Sequence, residues 1–121
     1  MVKKKVLIVE DDEHIATAQK MILSDEFNVS VAYDGETGLQ KIRGTRPDLI
    51  VLDLMLPNRG GYDICFSMRQ DPELKDIKIL MVTALNQELD KDKGVMVGTD
   101  GYLTKPFEPD QLLNAVRNLL S

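Results

Sequence analysis

The chain has 121 residues, 43% hydrophobic and 29% charged, which suits one compact domain (residues 1–121) with its own core and is too apolar for disorder. Its 20 acids against 15 Lys and Arg give a formal charge of -5, which argues against direct nucleic-acid binding by this chain, since phosphate contacts need clustered basic groups. The single cysteine, Cys65, excludes an internal disulfide and a multi-cysteine metal site, and no apolar run approaches the ~18 residues of a membrane helix.

Basic residues Lys3, Lys4 and Lys5 open the chain as solvated charges. The apolar stretch after them, Val6 to Val9, is far too short for a signal-peptide core, so a cytoplasmic protein without membrane contact is expected. Val6–Val9 is instead the first strand. A helix is predicted over Glu13–Ser24, with Ile15, Ala18 and Ile22 on its inner face and Asp12 as its cap. Val29–Ala32 is a weaker strand. It is followed by Asp34 as a cap and a helix over Gly35–Arg43 that buries Leu39 and Ile42 and stops at Gly44.

Leu49–Leu52 is the third strand. The third helix spans Gly61–Gln70, with Ile64, Cys65 and Met68 inward and Asp71-Pro72 ending it. Ile79–Val82 is the fourth strand. The fourth helix, Leu85–Val97, is the weakest, with a charged run and then Gly94, which costs ~1 kcal/mol relative to Ala inside a helix. Gly101–Thr104 is the last strand. The last helix, Pro109–Leu120, carries Leu112, Val116, Leu119 and Leu120 at helical spacing, with Pro109 in its first turn. Five βα units and continuous apolar strands imply an α/β fold: a parallel sheet covered by helices on both faces, with right-handed crossovers.

In such sheets ligands bind beyond the carboxyl ends of the strands. Glu10, Asp11 and Asp12 stand there after the first strand, Asp53 after the third, Thr83 and Ala84 after the fourth, and Lys105 and Pro106 after the fifth. If the first and third strands are neighbours, Glu10, Asp11 and Asp53 meet. Two like charges 4 Å apart repel by about 4 kcal/mol at an effective dielectric of 20, so the cluster must take up protons or bind a cation. Oxygen ligands without His or Cys favour Mg2+ or Mn2+ over Zn2+, and Mg2+ leaves coordination positions open for a phosphate. Lys105 can bind a carboxylate or a phosphate as a point charge, and a cis Lys105–Pro106 bond would aim it into the pocket. Thr83 adds a hydroxyl donor. Together these groups describe phosphoryl transfer to a carboxylate, with Asp53 as the nucleophile.

The runs Val6-Leu7-Ile8-Val9-Glu10-Asp11-Asp12 and Asp48 to Pro57, the pair Thr83-Ala84, and Tyr102-Leu103-Thr104-Lys105-Pro106-Phe107 resemble the receiver domain of two-component response regulators, in order and over essentially the whole chain. The resemblance implies a doubly wound, flavodoxin-like five-stranded parallel sheet of order 2-1-3-4-5 with five helices. It implies Asp53 as phosphoacceptor, Mg2+ ligation by Asp11, Asp53 and the backbone carbonyl of Met55, and Glu10 acting through water. It places Thr83, Ala84 and Lys105 at the phosphoryl group and Tyr102 at the switch position coupled to Thr83. The partners implied are a sensor histidine kinase or histidine phosphotransfer protein, a downstream effector or attached output domain, and a second copy on phosphorylation. The surface from the fourth helix through the last strand to the last helix would change on phosphorylation. Such a module phosphorylates and dephosphorylates itself and is no enzyme toward a separate substrate.

Two other readings compete. An aspartyl-nucleophile, Mg2+-dependent phosphohydrolase usually places a second acid two residues after the nucleophile, where this chain has Met55. A nucleotide or flavin carrier on the same fold would be expected to show a glycine-rich phosphate loop or a tryptophan, and neither is present. His14 is read as an ordinary first-turn helix residue, Cys65 as a core thiol, and Met21, Met68, Met81 and Met96 as core filler.

Overall fold

The apolar runs alternate with amphipathic stretches because each strand, once covered on both faces, needs a helix to return the chain to the same sheet edge. The computed structural model describes residues 2–84 and 98–121. Its strands are β1 (Lys5–Val9), β2 (Asn28–Ala32), β3 (Leu49–Asp53), β4 (Lys78–Ala84) and β5 (Gly101–Lys105), and its helices are α1 (Glu13–Leu23), α2 (Gly35–Thr45), α3 (Gly61–Gln70) and α4 (Pro109–Leu120). The sheet is wholly parallel in the order β2-β1-β3-β4-β5. The expected helix over Leu85–Val97 and the expected core residue Met96 lie outside the described residues. The described residues therefore hold four helices where five were expected.

Two apolar layers flank the sheet. One joins Leu7, Val9, Ile50, Leu52, Ile79 and Met81 to Leu39 and Ile42 of α2 and to Ile64, Cys65 and Met68 of α3. The other joins Val6, Ile8, Leu49, Val51, Leu80 and Val82 to Ala16 and Leu23 of α1 and to Leu112 and Val116 of α4. Alternate residues of each strand thus serve opposite layers, and full burial of each such side chain is worth roughly 1.5–3 kcal/mol. Both predicted caps form: Asp12 accepts from the N–H groups of His14 and Ile15, and Asp34 from that of Thr37.

Three local expectations need correction. The buried stripe of α1 is Ala16, Gln19 and Leu23, one residue round from the predicted Ile15, Ala18 and Ile22. Ala18 is exposed, while Ile15 and Ile22 flank the stripe half-buried. Polar Gln19 in the middle of the stripe hides it from a hydrophobicity pattern. Met21 is 74% exposed and fills no core. Helix α2 runs through Gly44 to Thr45 and is capped by Arg46 in the left-handed region at φ 46°. The stop belongs to Arg46-Pro47, since a residue before proline is disfavoured from continuing a helix.

Gly44 is exposed, and a Cβ there would meet nothing within 4 Å. Gly44→Ala is therefore expected to stabilise the domain by about 0.5–1 kcal/mol through helix propensity and a less flexible unfolded chain. Urea unfolding checks this, and a lowered midpoint would contradict it.

Candidate functional site

Placing β1 and β3 side by side sets their carboxyl ends together. Val9 lies opposite Leu52 in the register, so Glu10 follows β1 beside Asp53 at the end of β3. Glu10, Asp11 and Asp53 each offer a carboxylate oxygen, all lying within 4.8 Å of one another. Glu10 and Asp53 are buried and Asp11 is exposed. From the far side of β4, Lys105 closes the notch: its Nζ donates to Glu10 Oε1 at 2.8 Å and to Asp53 Oδ2 at 3.2 Å. The Lys105–Pro106 bond is cis. The N–H of Met55 donates to Asp53 Oδ1 at 3.1 Å, while the Met55 side chain is 62% exposed.

Thr83 is buried near the end of β4, one residue beyond Val82, the register partner of Asp53. Ala84 pairs with Lys105 across β4 and β5. Tyr102 stands three residues before Lys105, opposite Met81, so it lies roughly 10 Å along the strand from the lysine. It packs half-buried against the layer shared with α2 and α3, and its hydroxyl accepts a hydrogen bond from Thr99 Oγ1 at 2.8 Å. His14 is exposed in the first turn of α1, and Cys65 is buried, with its thiol pushed up to about 11 chiefly by that burial.

The electrostatics follow from two buried acids facing one ammonium. Burial, and then the adjacent Asp53 carboxylate, push the Glu10 carboxyl up to about 8, against the pull of Lys105. Burial works against the charge on Lys105. The hydrogen bond to Glu10 and the field of Asp53 outweigh it, so its pKa rises. Glu10 Oε2 is buried with no hydrogen-bond partner. A carboxylate oxygen in that position calls for a proton or a cation. An all-oxygen donor set next to such an atom fits a hard divalent cation.

Glycine at position 61 makes the geometry reachable. A Cβ there would stand 2.6 Å from the carbonyl oxygen of Asp53 and 2.9 Å from the Cα of Leu54. Only glycine lets α3 start this close to β3. The Gly60-Gly61 pair at the end of the loop between β3 and α3 is a readable signal for close backbone approach.

The model of the response regulator receiver domain matches residues 6–117. The chain is 42% identical over 118 residues to the alkaline phosphatase synthesis transcriptional regulatory protein PhoP of Bacillus subtilis, covering 97% of this chain and 48% of that protein. It thus spans about half the length of the curated relatives it matches. Among solved structures, a response regulator from Chloroflexus aurantiacus superposes with a TM-score of 0.91 at 38% identity, covering 98% of both chains. Chemotaxis protein CheY4 of Vibrio cholerae gives 0.91 at 31% identity, covering 98% of this chain and 100% of that one. No described helix is long and apolar enough to cross a membrane. With four chemical motifs meeting at one sheet edge and a family match across almost its whole length, the chain belongs to the response regulator receiver domains.

Proposed function

We propose that this domain is a phosphoacceptor switch in which Asp53 takes a phosphoryl group from a histidine-phosphorylated kinase or phosphotransfer protein, or from a small acyl phosphate. The observation that carries the reading is the Lys105 ammonium shared between Glu10 and Asp53 beside an unpartnered buried carboxylate oxygen. An ionised Asp53 oxygen attacks phosphorus, the bond from phosphorus to the donor breaks, and the donor leaves with that electron pair, as a carboxylate when it is an acyl phosphate. Lys105, already hydrogen-bonded to Asp53 Oδ2, then neutralises phosphoryl oxygen charge. Thr83 donates its hydroxyl to the same group, and the N–H of Ala84 is a second candidate donor. Asp11, Asp53 and the Met55 carbonyl would hold Mg2+ (or Mn2+), with Glu10 acting through water. A bound cation supplies charge neutralisation between the acids and the phosphoryl oxygens.

The relatives are signalling regulators, and we infer no turnover of a separate substrate. Phosphorylation adds charge and acceptor oxygens at Asp53. Thr83 then shifts toward them, and Tyr102 follows into the space left. This passes the change to the face around β5 and α4, where an effector, an output domain or a second copy reads it.

The test is incubation with acetyl phosphate and Mg2+ followed by mass spectrometry. The expected result is a gain of one phosphoryl group that EDTA prevents. An unchanged mass with Mg2+ present, or steady hydrolysis of a general phosphomonoester, would overturn the reading.

A further inference from the structure

The loop between β3 and α3 presents Met55, whose N–H holds Asp53 Oδ1. Its two ends are pinned to the sheet and to each other: Leu54 N–H donates to Val82 O at 2.8 Å and Gly61 N–H donates to Leu54 O at 2.9 Å. Its middle is held from outside, by the start of α2. The N–H of Gly35 donates to Pro57 O at 3.3 Å, and Arg59 N–H donates to the same oxygen at 2.8 Å. The latter bond closes a tight turn around Asn58, which sits in the left-handed region at φ 71°. Arg59 Nε pairs with Asp63 Oδ2 on α3 at 3.0 Å and lies 3.9 Å from Glu36 Oε1 on α2. The Asp34 cap carboxylate is held below its ordinary range by the Thr37 N–H first, with the Asn58 side chain among the lesser contributors.

Gly35 is the point of closest approach. A Cβ there would stand 2.3 Å from Arg59 O and 2.5 Å from Arg59 Cβ. Both are rigidly placed atoms, and neither can swing away as the end of a flexible side chain could. Any side chain at position 35 must therefore push the loop off α2. Position 44 of the same helix offers open space and provides the contrast.

We propose that Gly35 is a positioning residue for Asp53. Its missing side chain lets the start of α2 seat the loop that aims Met55, so the state of α2 and the occupancy of the acidic notch are energetically linked. This rests on the reading of Asp53, Asp11 and Met55 as a cation site. Coupling of this kind is reciprocal: whatever displaces the loop weakens the cation, and the cation tightens the Gly35 contact.

The experiment is a Mg2+ titration of wild type, Gly35→Ala and Gly44→Ala, followed through backbone amide shifts around Asp53. Gly35→Ala is expected to weaken Mg2+ by about tenfold or more, the size typical of losing an outer-shell support, while Gly44→Ala matches wild type. A Gly35→Ala affinity within about twofold of wild type overturns the proposal. A second arm needs no variant. In the wild-type protein, saturating Mg2+ is expected to slow hydrogen exchange of the Gly35 amide and leave that of Gly44 unchanged. Equal Gly35 exchange with and without Mg2+ overturns the proposal even if Gly35→Ala fails to fold. Wild-type protein that shows no Mg2+ binding sinks the reading of the site itself, and this inference with it, whereas normal wild-type binding with an indifferent Gly35 sinks this inference alone.

Discussion

Asp53→Asn is expected to abolish phosphoryl uptake from acetyl phosphate and to raise the stability of the metal-free domain at the same time. The first effect follows from removing the nucleophile: the neutral amide that replaces it is a far weaker nucleophile toward phosphorus than a carboxylate. Loss of the nucleophile of a serine protease, for scale, costs a factor of roughly a million. The second effect follows from charge. In the native notch one ammonium faces Glu10 and Asp53 at 2.8 and 3.2 Å, and Asp53 is among the causes that drive the Glu10 carboxyl up to about 8. Asparagine keeps the shape and an acceptor oxygen while removing the repulsion. Glu10 then returns toward its ordinary range, and Lys105 pairs with it alone. A gain on the order of 1 kcal/mol in urea unfolding with EDTA present is expected at pH 7.5. Stability and function pull apart here because the repulsion that strains the notch is also what makes it receptive to a cation. A variant that still gains a phosphoryl group would show that another residue is the acceptor. A variant less stable than wild type would show that the acids are not in conflict.

The sequence revealed the parts of this molecule that depend on strand composition and on which residue follows each strand. Val6–Val9, Leu49–Leu52 and Ile79–Val82 stood out because a strand buried on both faces has no polar alternation to dilute it. The edge strands β2 and β5 are only partly buried, and their weaker signal reflects that. The acids, Thr83 and Lys105 could be assigned to one edge because parallel topology sends every strand end the same way. The 2.8 and 3.2 Å contacts of Lys105 are not legible in the sequence, since they depend on register and on crossovers that span 95 and 52 residues between the partners. The stripe of α1 is not legible in a hydrophobicity pattern because Gln19 is a polar residue that packing accepts. The seat of Gly35 on Arg59 was invisible for another reason. Nothing in Asp34-Gly35-Glu36 says which loop will lie against it, and a glycine after an aspartate reads equally well as an ordinary helix start.

The metal-free protein is expected to lose stability as the pH rises from about 5 to about 8, with Mg2+ abolishing most of the loss. Glu10 has a carboxyl held near 8 in the folded protein against an ordinary value of 4.5, so its folded pKa is the raised one. Below pH 4.5 it carries a proton in both states, and its stabilising effect is fully present. Between 4.5 and 8 the native state binds a proton that the unfolded chain has released, so stability falls with a limiting slope of about 1.4 kcal/mol per pH unit. The groups with lowered pKa, Asp34 and Glu26, work in the opposite sense, but their effect is lost only as the pH drops into the acid range, outside this window. The rise in Lys105 lies above 10.5 and does not intrude either. A divalent cation competes with the proton for the same carboxylates, so its apparent affinity climbs over this interval, and added Mg2+ stabilises more at pH 8 than at pH 5.5. Glu10→Gln mimics the protonated form permanently, so its unfolding free energy in EDTA should be nearly flat over the window. Urea titrations of both proteins at pH 5.5, 7 and 8, with EDTA or with Mg2+, decide the matter. A wild-type slope no steeper than that of Glu10→Gln would place the proton elsewhere and would remove the electrostatic conflict from which the site was read.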